Sequence, residues 1–193
     1  MEPALGNPRA LGYLQEGTSR QRAAYRTMRR LDVMAELARF DPVLVSTVCV
    51  GLDTAESDLD VACSFQHREP FEHEVKAAYE NQPDFQLRCW RKAEYPTAVA
   101  TFDTDAFPIE IFGRARPIEQ QLGWRHFRIM QRLVKAGGND LRRQVHRLKD
   151  TGMSTEPALV RHLGIEDGKD PYRTLLELEN MTDGELQRLC VQV

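Results

Sequence analysis

The stretch Thr47-Val48-Cys49-Val50-Gly51-Leu52-Asp53-Thr54-Ala55-Glu56-Ser57-Asp58-Leu59-Asp60-Val61-Ala62-Cys63 constrains this chain more than any other. An apolar run enters a Gly-containing turn, the turn leads into Ser57-Asp58-Leu59-Asp60, and a second apolar run follows. Side chains of a strand alternate between its two faces. Read as a strand, residues 58–65 put Asp58, Asp60, Ala62 and Ser64 on one face and Leu59, Val61, Cys63 and Phe65 on the other. Two carboxylates then project side by side from a strand whose other face is core. Like charges so placed repel unless a cation lies between them. Paired carboxylates, with waters and substrate phosphates, are the usual way Mg²⁺ is held. A Ca²⁺ loop of the EF-hand type at residues 53–60 is excluded, because the central Gly and the distal Glu are missing.

A second carboxylate signal lies downstream. Phe107 to Phe112 reads as a strand with Ile109 and Ile111 on one face, so Glu110 points to the other. A carboxylate amid an apolar strand needs a reason, since burying an unpaired charge is expensive. Two readings stay open: an edge strand with Glu110 in water, or a third carboxylate converging on Asp58 and Asp60.

The remaining elements follow from periodicity and punctuation. Residues 1–17 read as an irregular arm. Thr18 or Ser19 caps a helix running to about Arg39, with arginines 20, 22, 26, 29 and 30 on its other faces, as a solvated face or a wall for phosphates. Val43 to Val50 is the first strand and Pro70 to Asn81 a helix. Phe85 to Arg91 and Pro96 to Phe102 are two strands joined by Lys92 to Tyr95. From Pro117 onward only helices are expected. The first, 118–136, buries Ile118, Leu122, Ile129 and Leu133 and is stopped by Gly137 and Gly138. Arg125 falls on that stripe and His126 adjoins it; each reads as a snorkelling surface residue or as a group reaching a bound phosphate. A basic helix from Asp140 to Thr151 follows, then helices capped by Ser154 or Thr155, begun at Asp170-Pro171, and capped by Thr182 or Asp183. The expected organisation is a core over 1–116 and a helical subdomain over 117–193 packed on it.

Composition narrows the class. An apolar share of 41% with 28% charged residues is that of a globular chain able to bury a core. A net charge of −3 argues against wholesale coating of nucleic acid. Cys49, Cys63, Cys89 and Cys190 are scattered and read as reduced core residues of a cytoplasmic protein. His67 and His73 lack a third ligand at metal spacing and read as surface residues. No signal peptide and no membrane span is expected.

The carboxylate-bearing segment resembles the polymerase-beta-type nucleotidyltransferase superfamily. That superfamily carries a Gly-Ser pair, then a Gly, then after seven residues the first Asp of Asp-x-Asp, and a third carboxylate on a later strand. Here Gly51 precedes Asp58 by seven residues, Ser57-Asp58-Leu59-Asp60 matches the Ser-Asp-x-Asp segment, and Glu110 is the third carboxylate. Thr47 falls where the family has the Ser, and Ser46 replaces the Gly that admits a phosphate close to the backbone. The whole chain also looks like an uncharacterised group of bacterial nucleotidyltransferase-like proteins. In that group the arm from Asn7-Pro8 to Tyr25, Ser-Asp-Leu-Asp, Arg125-His126, Thr155-Glu156-Pro157-Ala158 and Asp170-Pro171-Tyr172 recur together.

The resemblance implies an α+β fold, a nucleotidyltransferase-like mixed β-sheet flanked by helices and followed by an all-helical C-terminal part. It implies that Asp58, Asp60 and Glu110 hold Mg²⁺ (or Mn²⁺), and that Thr47 and backbone N–H groups near Gly51, with Ser57, Arg125 and His126, bind the nucleotide. The expected activity is transfer of a nucleoside monophosphate from a nucleoside triphosphate to an acceptor that is a small molecule, a protein or RNA. DNA and membranes are not expected partners. The alternative is a catalytically inactive nucleotide- or metal-binding module of the same fold. A third reading is action on RNA or DNA through the Arg142–Lys149 helix and the N-terminal arginines, and few aromatic residues adjoin them for stacking.

Overall fold

The computed structural model describes residues 2–90, 94–166, 168 and 170–191. Its secondary structure runs α1 (Ser19–Arg30), α2 (Val33–Glu36), β1 (Val43–Leu44), β2 (Leu59–Ser64), α3 (Arg68–Tyr79), β3 (Gln86–Trp90), β4 (Thr97–Asp103), β5 (Pro108–Arg114), α4 (Leu122–Lys149), α5 (Thr155–His162), α6 (Pro171–Glu177) and α7 (Asp183–Val191). Two compact units result, one of Met1–Gly51 with Ala55–Trp124, the other of Leu52–Thr54 with Arg125–Val193.

The first unit is built on a five-stranded sheet in the order β1-β2-β5-β4-β3. β2 and β5 are parallel and every other neighbouring pair is antiparallel, so the sheet is mixed. One face is core. Leu59, Val61 and Cys63 of β2, Ile109 and Ile111 of β5, and Ala98, Ala100 and Phe102 of β4 are all buried on it. Helix α3 packs on this face through Phe71, Val75 and Tyr79. Tyr79 stacks on Phe102 with ring centroids 5.2 Å apart, and Phe71 meets Phe40 edge-on at 5.1 Å. Each such ring contributes about 1.5–3 kcal/mol by leaving water.

Where the sequence reads one helix over 18–39, the chain makes two. Thr18 and Gln21 form a reciprocal capping box that starts α1. Asp32 then takes a left-handed backbone with φ 48°, which ends one helix before α2 begins. The expected strand from Val43 to Val50 is likewise shortened to two residues, followed by a 3-10 turn over Thr47–Val50. Ser46 causes the change: its hydroxyl accepts from the Val48 N–H and caps the turn. The connection expected at 92–95 lies partly outside the described residues.

The second unit is helical. Helix α4 enters it at Arg125 and, as the sequence suggests, is interrupted at Gly138, whose backbone is non-helical (φ 57°, ψ −144°); its range therefore comprises two helices meeting at a kink. Ile129, Met130, Leu133, Val134, Leu141 and Val145 of α4 are buried, as are Ala158, Leu159, Leu175 and Leu186 of the later helices. Leu122, expected in the core, is 48% exposed, at the first turn of α4. Among the described residues no helix is long and apolar enough to cross a membrane.

Candidate functional site

The register of β2 against β5 sets the geometry of the carboxylates. Asp60 and Glu110 are direct partners across the parallel pair, so their side chains leave the sheet on the same face. Glu110 is also directly opposite Thr101 of β4. Since β5 lies between β2 and β4, Glu110 is not on an edge strand, and that explanation of an exposed carboxylate falls away. Asp58 precedes β2 by one residue. Burial, and after it the nearby Asp58 charge, push the Glu110 carboxyl above its ordinary value. Asp58 thus acts on Glu110, and Asp60 stands beside Glu110 in register, on a half-buried polar face backed by core.

A cation suits this arrangement chemically. Hard divalent ions prefer carboxylate oxygens, and a positive charge relieves the crowding recorded in Glu110. Among the described residues no three His, Cys, Asp or Glu side chains stand in a ready metal-holding group. Adjacent strands are about 4.8 Å apart, so side-chain rotation over a backbone already in register would be enough to gather Asp60 and Glu110.

The segment before the carboxylates is held by two buried polar side chains. Ser46 is fully buried, and its hydroxyl donates to the Asp58 carbonyl at 2.7 Å. The residue that departs from the Gly-Ser pattern therefore fixes the backbone of the first carboxylate. Gln21 is also fully buried. Its amide nitrogen donates to the Val48 and Ala4 carbonyls at 3.1 and 2.9 Å, and its oxygen accepts from the Ala4 N–H at 2.8 Å. One side chain thereby ties the N-terminal arm, α1 and the 3-10 turn together. Sequence reading missed both roles. The Thr18-x-x-Gln21 capping signature was the available cue for Gln21, but it predicts only the local half of its bonding.

The other predicted site residues fall as follows. Thr47 opens the 3-10 turn, half-buried. Gly51 ends that turn in a left-handed conformation at φ 70°, and its N–H donates to the Val48 carbonyl at 3.3 Å. The amide expected to face a phosphate is thus committed within the turn. Ser57 offers its carbonyl to Arg20 at 2.9 Å, and the Arg20 guanidinium also lies 4.5 Å over the Phe107 ring. Arg20 is therefore held at the carboxylate segment, while Arg30 pairs with Asp105.

Arg125 and His126 belong to the second unit. Arg125 is held by Glu179, its Nε 3.0 Å from both carboxylate oxygens, so its guanidinium has an acidic partner there in place of a phosphate. His126 is buried; its Nε2 lies 3.1 Å from the Tyr172 carbonyl and its Nδ1 3.9 Å from Glu156. The segments containing Glu156 and Tyr172 therefore meet at His126. Beside them, Lys149 donates to Thr155 Oγ1 at 2.7 Å and to the Leu52 carbonyl. Burial pushes the Lys149 ammonium below its ordinary value, against the raising effect of Asp53 and then Glu156.

His67 and His73 are exposed, as their spacing suggested. Cys49 and Cys63 are buried free thiols, but Cys89 is exposed on edge strand β3 and Cys190 is only half-buried. Strand β3 is the edge of the sheet and none of its residues is buried, which the sequence run alone does not announce.

A family model described as a domain of unknown function (DUF4269) matches residues 26–178. Comparison with curated protein sequences gives no match. Among solved structures, a GLD-2/RNP-8 complex is similar with a TM-score of 0.52 and 10% identity, over 98% of this chain and 78% of that one. A mutant of Cid1 poly(U) polymerase bound to MgATP gives 0.48 and 16% identity, over 89% of this chain and 50% of that one. Cid1 in complex with its short product ApU gives 0.43 and 18%, over 84% and 42%. The chain spans about half the length of the Cid1 structures it matches. The fold is nucleotidyltransferase-like: a mixed five-stranded sheet, flanking helices and a helical C-terminal part.

Proposed function

The chain belongs to the DUF4269 family, and from that premise we propose that it is a metal-dependent nucleotidyltransferase moving a nucleoside monophosphate from a triphosphate to an acceptor hydroxyl. The observation that carries the reading is the register of Asp60 against Glu110, with Asp58 close enough to raise the Glu110 carboxyl. Asp58, Asp60 and Glu110 would hold Mg²⁺ or Mn²⁺, which when bound supplies charge neutralisation on the phosphates and acidifies the attacking hydroxyl.

The chain's own residues divide the remaining tasks. Glu110 either completes the metal site or, when it is not a ligand, takes the acceptor hydroxyl's proton onto a carboxylate oxygen. The acceptor oxygen forms its bond to the α-phosphorus as the bond to the pyrophosphate oxygen breaks. Thr47 has a half-exposed hydroxyl with no hydrogen-bond partner among the described residues, and donates it to a phosphate oxygen. Ser46 and Gln21 keep the turn and Asp58 in place, so that little reorganisation accompanies the reaction.

The second reading, a nucleotide- or metal-binding module without turnover, is favoured by the commitment of the Gly51 N–H to Val48. Calorimetric titration of ATP, GTP, CTP and UTP with Mg²⁺ separates the cases when the Asp58→Asn/Asp60→Asn double variant is run beside the wild type. Binding that needs both Mg²⁺ and the Asp pair, followed by transfer that Glu110→Gln abolishes, is the expected result. Binding without transfer to any acceptor leaves the second reading, and transfer surviving in all three single variants (Asp58→Asn, Asp60→Asn, Glu110→Gln) removes the first.

A further inference from the structure

The sheet face that carries Glu110 changes character along β5. Phe112 follows on the same face, half-buried, and Arg114 follows it. Arg114 is in register with Thr97 of β4, and Thr97 with Trp90 of β3, so Trp90 shares that face. Trp90 is 49% exposed on the edge strand. An indole left in water at the end of a sheet is informative in a way a scattered Leu is not. Next to it in the fold, two guanidiniums flank one phenol: Arg114 Cζ lies 5.5 Å and Arg116 Cζ 4.9 Å from the Tyr95 ring centroid.

This cluster is incomplete in its polar bonding. Arg114 Nε is buried without a hydrogen-bond partner among the described residues. Neither Arg114 nor Arg116 forms an ion pair among them, and Arg116 Nε reaches only the neutral Gln120 side chain at 3.2 Å. Elsewhere in this unit, Arg9, Arg30, Arg39 and Arg68 each have a carboxylate. Planar guanidiniums without acidic partners, beside a half-buried Tyr95 and an exposed Trp90, are suited to phosphates and stacked bases together.

The spacing connects the cluster to the carboxylates. Glu110 and Arg114 are four residues apart on one strand, which is about 13 Å at ~3.3 Å per residue. Stacked nucleotides advance ~3.4 Å each, so about four of them span that length. We propose that this face is the acceptor subsite and takes the end of a single-stranded nucleic acid, whose terminal hydroxyl is the group attacking at Glu110. The preceding bases stack on Trp90 and Tyr95, and the preceding phosphates pair with Arg114 and Arg116. The proposal rests on the nucleotidyl-transfer reading for its chemistry, but its binding surface stands on separate residues.

The test is fluorescence anisotropy of a short 5′-labelled oligoadenylate and oligouridylate with the full chain, at low salt, without metal or triphosphate. Wild type binds both, with affinity falling as salt rises. Trp90→Ala and Arg116→Ala each weaken binding about tenfold, as loss of one stacked base or one phosphate contact does. Arg114→Met, which keeps an apolar stem in the central strand, does the same, with circular dichroism verifying its fold. Three results overturn the proposal: no wild-type binding, affinities of Trp90→Ala and Arg116→Ala within twofold of wild type, or complete displacement by inorganic phosphate at matched phosphate concentration. The nucleotide titrations contain no oligonucleotide and these contain no triphosphate, so each reading can fail while the other stands.

Discussion

Glu110 sits on the central strand with its carboxyl pushed above the ordinary value, first by burial and then by Asp58. Between its ordinary and its raised value the folded chain holds a proton that the unfolded chain has lost. Stability therefore falls as pH rises through that window, and the full cost is present above it. Glu110→Gln removes the cost, so its melting temperature exceeds that of the wild type at neutral pH. The gain fades as pH falls below the ordinary carboxylate value, where Glu110 is protonated in both states. Thermal melts across that range test the sign; a gain independent of pH would mean the charge is not its source. Saturating Mg²⁺ narrows the difference, because the cation favours the ionised wild-type carboxylate. Glu110 and Asp60 were legible because apolar neighbours on both sides betray a polar face by alternation. Gln21 and Ser46 were not, since the carbonyls that give them their roles belong to residues far away in sequence.

At the scale of elements, the strength of a local pattern was a poor guide to where an element ends. Val43 to Val50 is rich in β-branched residues, yet one Ser46 hydroxyl on a backbone N–H turns its second half into a 3-10 turn. Asp32 divides a helix whose apolar stripe runs on past it. Gly138, by contrast, ends one helix where the sequence places the stop, and a second helix starts directly beyond it. The central strand has its own constraint on the face opposite Glu110. A Cβ added at Gly113 would stand 2.3 Å from a Phe71 ring atom. That ring is confined by Phe40 and Phe65, whose centroids lie 5.1 and 5.3 Å away. Gly113→Ala is therefore expected to destabilise the chain by about 1–3 kcal/mol through overpacking. Chemical denaturation measures it, and a loss below a few tenths would show that the aromatic cluster yields.

At the scale of the molecule, the order of strands in space was the part least readable from the order in sequence. β5 inserts between β2 and β4, so the last strand in the chain becomes the middle of the sheet. Nothing in the local composition of β5 announces that position except the apolar flanks of Glu110. The class of fold was readable, because a mixed block of strands gives way after Pro117 to helices alone. The β4–β5 and β3–β4 pairs are local hairpins, whereas β2 must close a long loop to reach β5. Non-local pairing is slow because that loop's entropy is lost before any contact compensates it. Asp60 and Glu110 are therefore expected to meet late, when β2 pairs with β5. A cation bound by both acts on the finished fold and leaves the barrier to reaching it unchanged. At about 100 times its Kd it should add about 2.7 kcal/mol, all of it as unfolding slowed about a hundredfold with refolding unaltered. Stopped-flow kinetics with and without Mg²⁺ test this, and faster refolding would place the β2–β5 pairing early. A chain still emerging from the ribosome carries Asp58 and Asp60 long before it carries Glu110, so an ion held by all three would report that the chain has been made at least as far as β5 and that β2 and β5 have closed, while the helices after Pro117 are still to come.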